Sequence, residues 1–76
     1  MNTAYTNTYQ RRMHVSKSLG RQIANIRFKK KMTLEEFGKL FNPPASHSLV
    51  SRWERDINKP NRQRLKRLSE LGDIEQ

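Results

Sequence analysis

His47, Ser48, Ser51, Arg52 and Arg55 fall at a spacing that places them on one side of a helix, while Leu49, Val50, Trp53 and Ile57 share an opposite arc of about 100°. One face of this segment packs and the other offers hydrogen bonds. Hydroxyls, an imidazole and guanidinium groups in a row suit recognition of a polar, anionic surface rather than the making or breaking of bonds. The remaining chemistry-bearing residues do not assemble a catalytic set. His14 and His47 lie in different segments, cysteine is absent, and no metal-ligand spacing, phosphate-binding glycine loop or acid–base pair occurs. The expectation is therefore a protein that is not an enzyme, with no catalytic residue, no metal and no cofactor.

Charge narrows the partner. Sixteen Lys and Arg against seven Asp and Glu give a net charge of +9 on 76 residues, a balance that repels itself unless a polyanion is nearby. The excess is uneven. Residues 16 to 32 carry Lys17, Arg21, Arg27, Lys29, Lys30 and Lys31 with no acid, whereas residues 33 to 56 set Lys39, Arg52 and Arg55 against Glu35, Glu36, Glu54 and Asp56. The hydrogen-bonding face thus sits in a nearly neutral stretch between basic flanks, which argues against simple adhesion by a charge run. No apolar run exceeds a few residues, so no membrane segment or signal peptide is expected, and the absence of cysteine fits a reducing, cytoplasmic setting.

Several helices must position that face. Residues 1 to 15 are rich in Thr and Asn without an apolar period and read as a flexible arm, leaving 16 to 76 as one domain. Ser16 or Ser18 caps a first helix to about Lys30, with Leu19, Ile23 and Ile26 as its stripe, Arg27 at the border and Phe28 on the far side. Thr33 and Glu36 form a capping box, and Leu34, Phe37, Leu40 and Phe41 give the second helix its face. Gly38 beside them suggests a close approach by the backbone of the next helix. Asn42-Pro43-Pro44 stops the second helix, Ser46 caps the third through Arg55, and Asn61 caps a fourth with Leu65, Leu68 and Leu71 buried, ended by Gly72. Two short helices joined by a tight break, the second with a Trp-anchored inner face, are able to present an outer face to a major groove.

The stretch TLEEFGKLFNPPASHSLVSRWERDINKP resembles the helix-turn-helix of the phage repressor and Cro family, also called the xenobiotic-response-element type. Thr33-Leu34-Glu35-Glu36-Phe37-Gly38 and Val50-Ser51-Arg52-Trp53-Glu54-Arg55 carry the resemblance most specifically, within a match over about residues 18 to 72. It implies an all-α, four- to five-helix, lambda-repressor-like DNA-binding domain. It further implies that His47, Ser48 and Arg52, with Ser51 beside them, face base edges. Arginine supports that role because it donates two hydrogen bonds to guanine O6 and N7. Ser46, Lys59, Asn61 and Arg62 match positions that touch phosphates, and Arg55 joins that set. Arg27 and Glu54 match a buried ion pair between the first and third helices, and their wheel positions at the edges of two apolar faces agree. The chain departs from the family pattern at Leu34, where glutamine is usual, in a lengthened Asn42 to Ala45 connection, and at Lys31 and Asp56, where glycine is usual. Little sequence is left for a fifth helix.

The function expected is a sequence-specific, DNA-binding transcriptional regulator, a small phage or mobile-element switch protein or repressor in the cytoplasm of a bacterial host, associated with the nucleoid. Its expected partner is a double-stranded DNA operator, and the expected state is a monomer in solution or a weak dimer on DNA. The alternative is an antirepressor or co-repressor module that engages a partner repressor protein through the same helix-turn-helix surface. Tyr5, Tyr9, Arg11, Arg12 and His14 of the arm would reach the minor groove if the arm is ordered; terminal disorder is the favoured reading.

Overall fold

The computed structural model describes residues 18 to 74, and among these the chain forms four α-helices and no strand. They are α1 (Leu19–Lys29), α2 (Leu34–Gly38), α3 (His47–Glu54) and α4 (Arg62–Leu71). The arm of residues 1 to 15 and the alternative cap Ser16 lie outside the described residues.

Each helix starts on a side-chain oxygen that accepts from a first-turn amide: Ser18 from Arg21, Thr33 from Glu36, Ser46 from Leu49 and Asn61 from Arg64. The Thr33 box closes in both directions, with the Glu36 carboxylate 2.9 Å from the Thr33 amide. The ends are equally well defined. After α1, the Lys31 amide donates to Phe28 O and the Met32 amide to Arg27 O; after α3, the Asp56 amide donates to Trp53 O and the Ile57 amide to Arg52 O. These are two Schellman motifs, and their left-handed positions are Lys31, φ 57°, and Asp56, φ 60°.

The core gathers Ile23 and Ile26 of α1, Phe37 of α2, Val50 and Trp53 of α3, Leu68 of α4, and Phe41 and Ala45 from the connection between α2 and α3. Phe41 meets Phe37 and Trp53 edge-on at centroid separations of 5.5 and 5.3 Å, so the aromatic cluster runs from α2 through the connection into α3. Leu19, Leu34, Leu49, Leu65 and Leu71 pack partly buried around it.

Three expectations need correction. The second helix ends at Gly38, before Leu40 and Phe41, because the chain there tightens into turns: Leu40 N bonds Phe37 O, while Phe41 N and Ala45 N both bond Gly38 O. Phe41 still enters the core, from the connection rather than from the helix. The neighbour that Gly38 admits is likewise the Ala45 carbonyl, just before the Ser46 cap; a Cβ at Gly38 would collide with it. Ile57 is 59% exposed instead of sharing the Trp53 arc, since the Schellman turn at Asp56 ends α3 before the helical period reaches it.

Candidate nucleic-acid interface

The outer face of α3 is supported from within. Val50 and Trp53 are buried, and the helix packs against both α1 and α2. Arg27 of α1 fixes the far end: its Nε and one terminal nitrogen donate to the two Glu54 carboxylate oxygens at 2.7 and 3.0 Å, and its other nitrogen donates to Met32 O at 3.0 Å. The pair is mostly withdrawn from water, at 14% and 12% side-chain exposure, and each of the three guanidinium nitrogens donates one of these bonds. The Arg27 pKa is raised above the ordinary arginine value, first by its hydrogen bond to Glu54, against the opposing effect of burial. The expected structural pair between the first and third helices therefore exists, and it turns the Glu54 charge inward.

Asp56 is also occupied. Its carboxylate accepts from the Gly20 amide at 2.9 Å, so it caps the first turn of α1 beside Ser18 and favours the positive end of that helix. Gly20 is needed at this contact, because a Cβ there would stand 2.5 Å from Trp53 O and 2.6 Å from Glu54 O. Of the remaining acids in the middle of the sequence, Glu36 closes the capping box and Glu35 faces Lys39 at 3.9 Å on the surface. The acids of residues 33 to 56 thus serve caps and pairs on α1 and α2 or the inner side of α3.

His47, Ser48 and Arg52 are exposed and Ser51 is half-buried, all on the side of α3 opposite Val50 and Trp53. Among the described residues their side chains meet no hydrogen-bonding partner. Arg55 follows as the C-cap, with Nε 3.4 Å from Ser51 O, a long contact that leaves its terminal nitrogens available. Ser46 and Asn61 each spend an oxygen on a helix cap, so what they offer outward is the hydroxyl proton and the amide NH2. Lys59 and Arg62 are exposed on either side of Asn61. Chemically, α3 supplies bidentate and monodentate donors on a helix packed against α1 and α2, and Lys59, Asn61 and Arg62 add donors from the loop that follows it and the start of α4.

Two participants escape a reading by charge alone. Arg64 and Arg67 of α4 are half-buried and point their donors at the connection between α2 and α3: Arg64 to Pro43 O at 2.9 Å, Arg67 Nε to Leu40 O at 2.8 Å. Their signal was positional. Each precedes a leucine of the α4 stripe by four residues, Arg64 before Leu68 and Arg67 before Leu71, and so borders the apolar face as Arg27 does in α1.

No family model, curated protein or solved structure matches the chain. Among the described residues no helix is long and apolar enough to cross a membrane.

Proposed function

We propose that this chain is a sequence-specific, double-stranded DNA-binding regulator of the lambda-repressor and Cro type, with α2, the connection and α3 serving as its helix-turn-helix. The observation that carries the reading is the division of labour on α3. Its inner face and its acid are committed to the core, while His47, Ser48, Ser51 and Arg52 keep their polar atoms outward on a rigid helix. Inserted in a major groove, Arg52 takes a guanine edge, and the serines and His47 take neighbouring base edges or ordered water. Ser46, Arg55, Lys59, Asn61 and Arg62 neutralise or hydrogen-bond phosphates on either side and set the register. The setting is the cytoplasm of a bacterial host, as a small phage or mobile-element switch, binding as a monomer or a weak dimer on DNA.

Selection of bound duplexes from a random pool tests this directly. The selected duplex should bind at least ~10³-fold more tightly than a scrambled one, with log affinity falling by about 0.9 per contacted phosphate for each tenfold rise in salt. Equal binding of selected and scrambled duplexes at every salt refutes it.

A second reading, an antirepressor or co-repressor that docks on a partner repressor protein, has one observation in its favour: Phe28 and Ile57 are each 59% exposed. Capture of a repressor that is abolished by Arg52→Ala, from a chain that retards no duplex, would select it over the first.

A further inference from the structure

We propose that Arg64 is a positioning residue: with Arg67 it clamps the connection between α2 and α3 and so fixes the angle at which α3 presents its outer face. The consequence for DNA rests on the regulator reading above; the clamp itself does not.

The connection closes on its own backbone at one long-span point, Ala45 N to Gly38 O. Pro43 and Pro44 have no amide hydrogen, and the backbone bonds that hold residues 40 to 45 all return to Phe37 or Gly38 at its beginning. Among the described residues no backbone amide bonds the Leu40 or Pro43 carbonyl, and α4 supplies a donor to each through Arg67 and Arg64. Arg64 does more than donate. Its guanidinium lies 5.8 Å from the centroid of the Trp53 ring, the buried anchor of α3, while its Nη2 holds Pro43 O. One side chain on α4 thus touches the connection before α3 and the inner face of α3 together. Asn61 and Arg62, proposed above as phosphate contacts, begin the same helix, so Arg64 also sets the distance between the phosphate anchors and the base-facing row.

The competing role for Arg64 is a phosphate contact, since it stands two residues after Arg62 on a basic helix. The two roles respond differently to lysine. An ammonium keeps the charge that a phosphate needs, but it lacks the planar fork that stacks on an indole and donates sideways to a carbonyl. Arg64→Lys and Arg64→Ala are compared with the parent in the full chain, first by amide hydrogen exchange at Ala45, whose N–H bonds Gly38 O, normalised to the core amide of Ile26. Both variants should lose about tenfold or more of the Ala45 protection, as expected of a local opening. Against a selected and a scrambled duplex, Arg64→Lys should lose about tenfold in selectivity, the scale of one misread base pair, with an unchanged salt slope. Wild-type protection at Ala45 or wild-type selectivity in Arg64→Lys overturns the proposal. So does a fall in slope of about 0.9 in Arg64→Ala with full rescue by lysine, which marks a phosphate contact. If the parent itself selects no duplex, the regulator reading fails, and the exchange at Ala45 alone decides the clamp.

Discussion

Arg27, Arg52 and Arg64 show how three identical side chains acquire three different jobs from their surroundings. Arg27 is held in a fork by Glu54 and the Met32 carbonyl, Arg64 lies over the Trp53 ring and donates to the Pro43 carbonyl, and Arg52 meets no hydrogen-bonding partner among the described residues. The first was readable from the sequence because the family resemblance implies an ion pair at Arg27 and Glu54, and their places at the borders of two apolar stripes agree with it. Arg64 borders a stripe too, but its hydrogen-bond partner is a backbone carbonyl, Pro43 O, in a non-helical connection, and no periodicity announces that. Removing the Glu54 charge leaves Arg27 buried and unpaired, so Glu54→Gln should lower stability by about 3 kcal/mol in urea or thermal unfolding. Stability near that of the parent would contradict the role given to the pair. Because the Arg27 pKa is raised on folding, its contribution is fully present below the unfolded value and lost only as pH rises through the folded one, both far above neutrality. On the arginine side, then, the pair gives no pH dependence across the physiological range.

At the scale of elements, starts were more legible than stops. The caps Thr33, Ser46 and Asn61, and Ser18 as one of two candidates with Ser16, follow from a short polar side chain placed ahead of an apolar period, a local rule that needs no tertiary knowledge. The end of α2 at Gly38 was not local: the aromatic core draws Phe41 inward while the Ala45 carbonyl closes on Gly38, and the helix gives way to tighter turns. The two Schellman ends were half legible, since Lys31 and Asp56 occupy positions where glycine is usual and both do adopt positive φ. Substitutions separate them. Lys31→Gly should stabilise by about 1 kcal/mol by relieving left-handed strain that nothing else offsets. Asp56→Gly gains the same relief but loses the bond to the Gly20 amide, so its net effect should be smaller than that of Lys31→Gly; Asp56→Ala, keeping the strain and losing the bond, should be the worst, at about 2 kcal/mol below the parent. Denaturant midpoints in that order check the assignment. Gly20→Ala meets the α3 backbone rather than a movable side chain, and a loss of about 1 to 3 kcal/mol is expected there. Unchanged stability would mean that α1 and α3 are not in contact at Gly20.

For the whole molecule, a net charge of +9 says that a polyanion is a plausible neighbour and nothing about where it sits. The fold supplies the placement. It consumes Glu54, Asp56 and Glu36 in pairs and caps, engages Arg27, Arg64 and Arg67 in intramolecular contacts, and leaves the outer row of α3 between Ser46 and the exposed Lys59 and Arg62. The sequence pattern alone identified that row, because polar and apolar residues alternate with a helical period around Trp53. It could not reveal the angle of α3, which depends on Gly38, Ala45 and the arginines of α4 meeting across distant parts of the chain. The most direct test of the reading is the affinity of Arg52→Ala for the selected duplex and for each of its single-base-pair variants. The variant should lose about 1 to 3 kcal/mol on the selected duplex and become indifferent to one G·C position while still discriminating at the others. A uniform weakening over all sequences, or no change at any position, would contradict a base-reading role for Arg52 and with it the central place given to the outer face of α3.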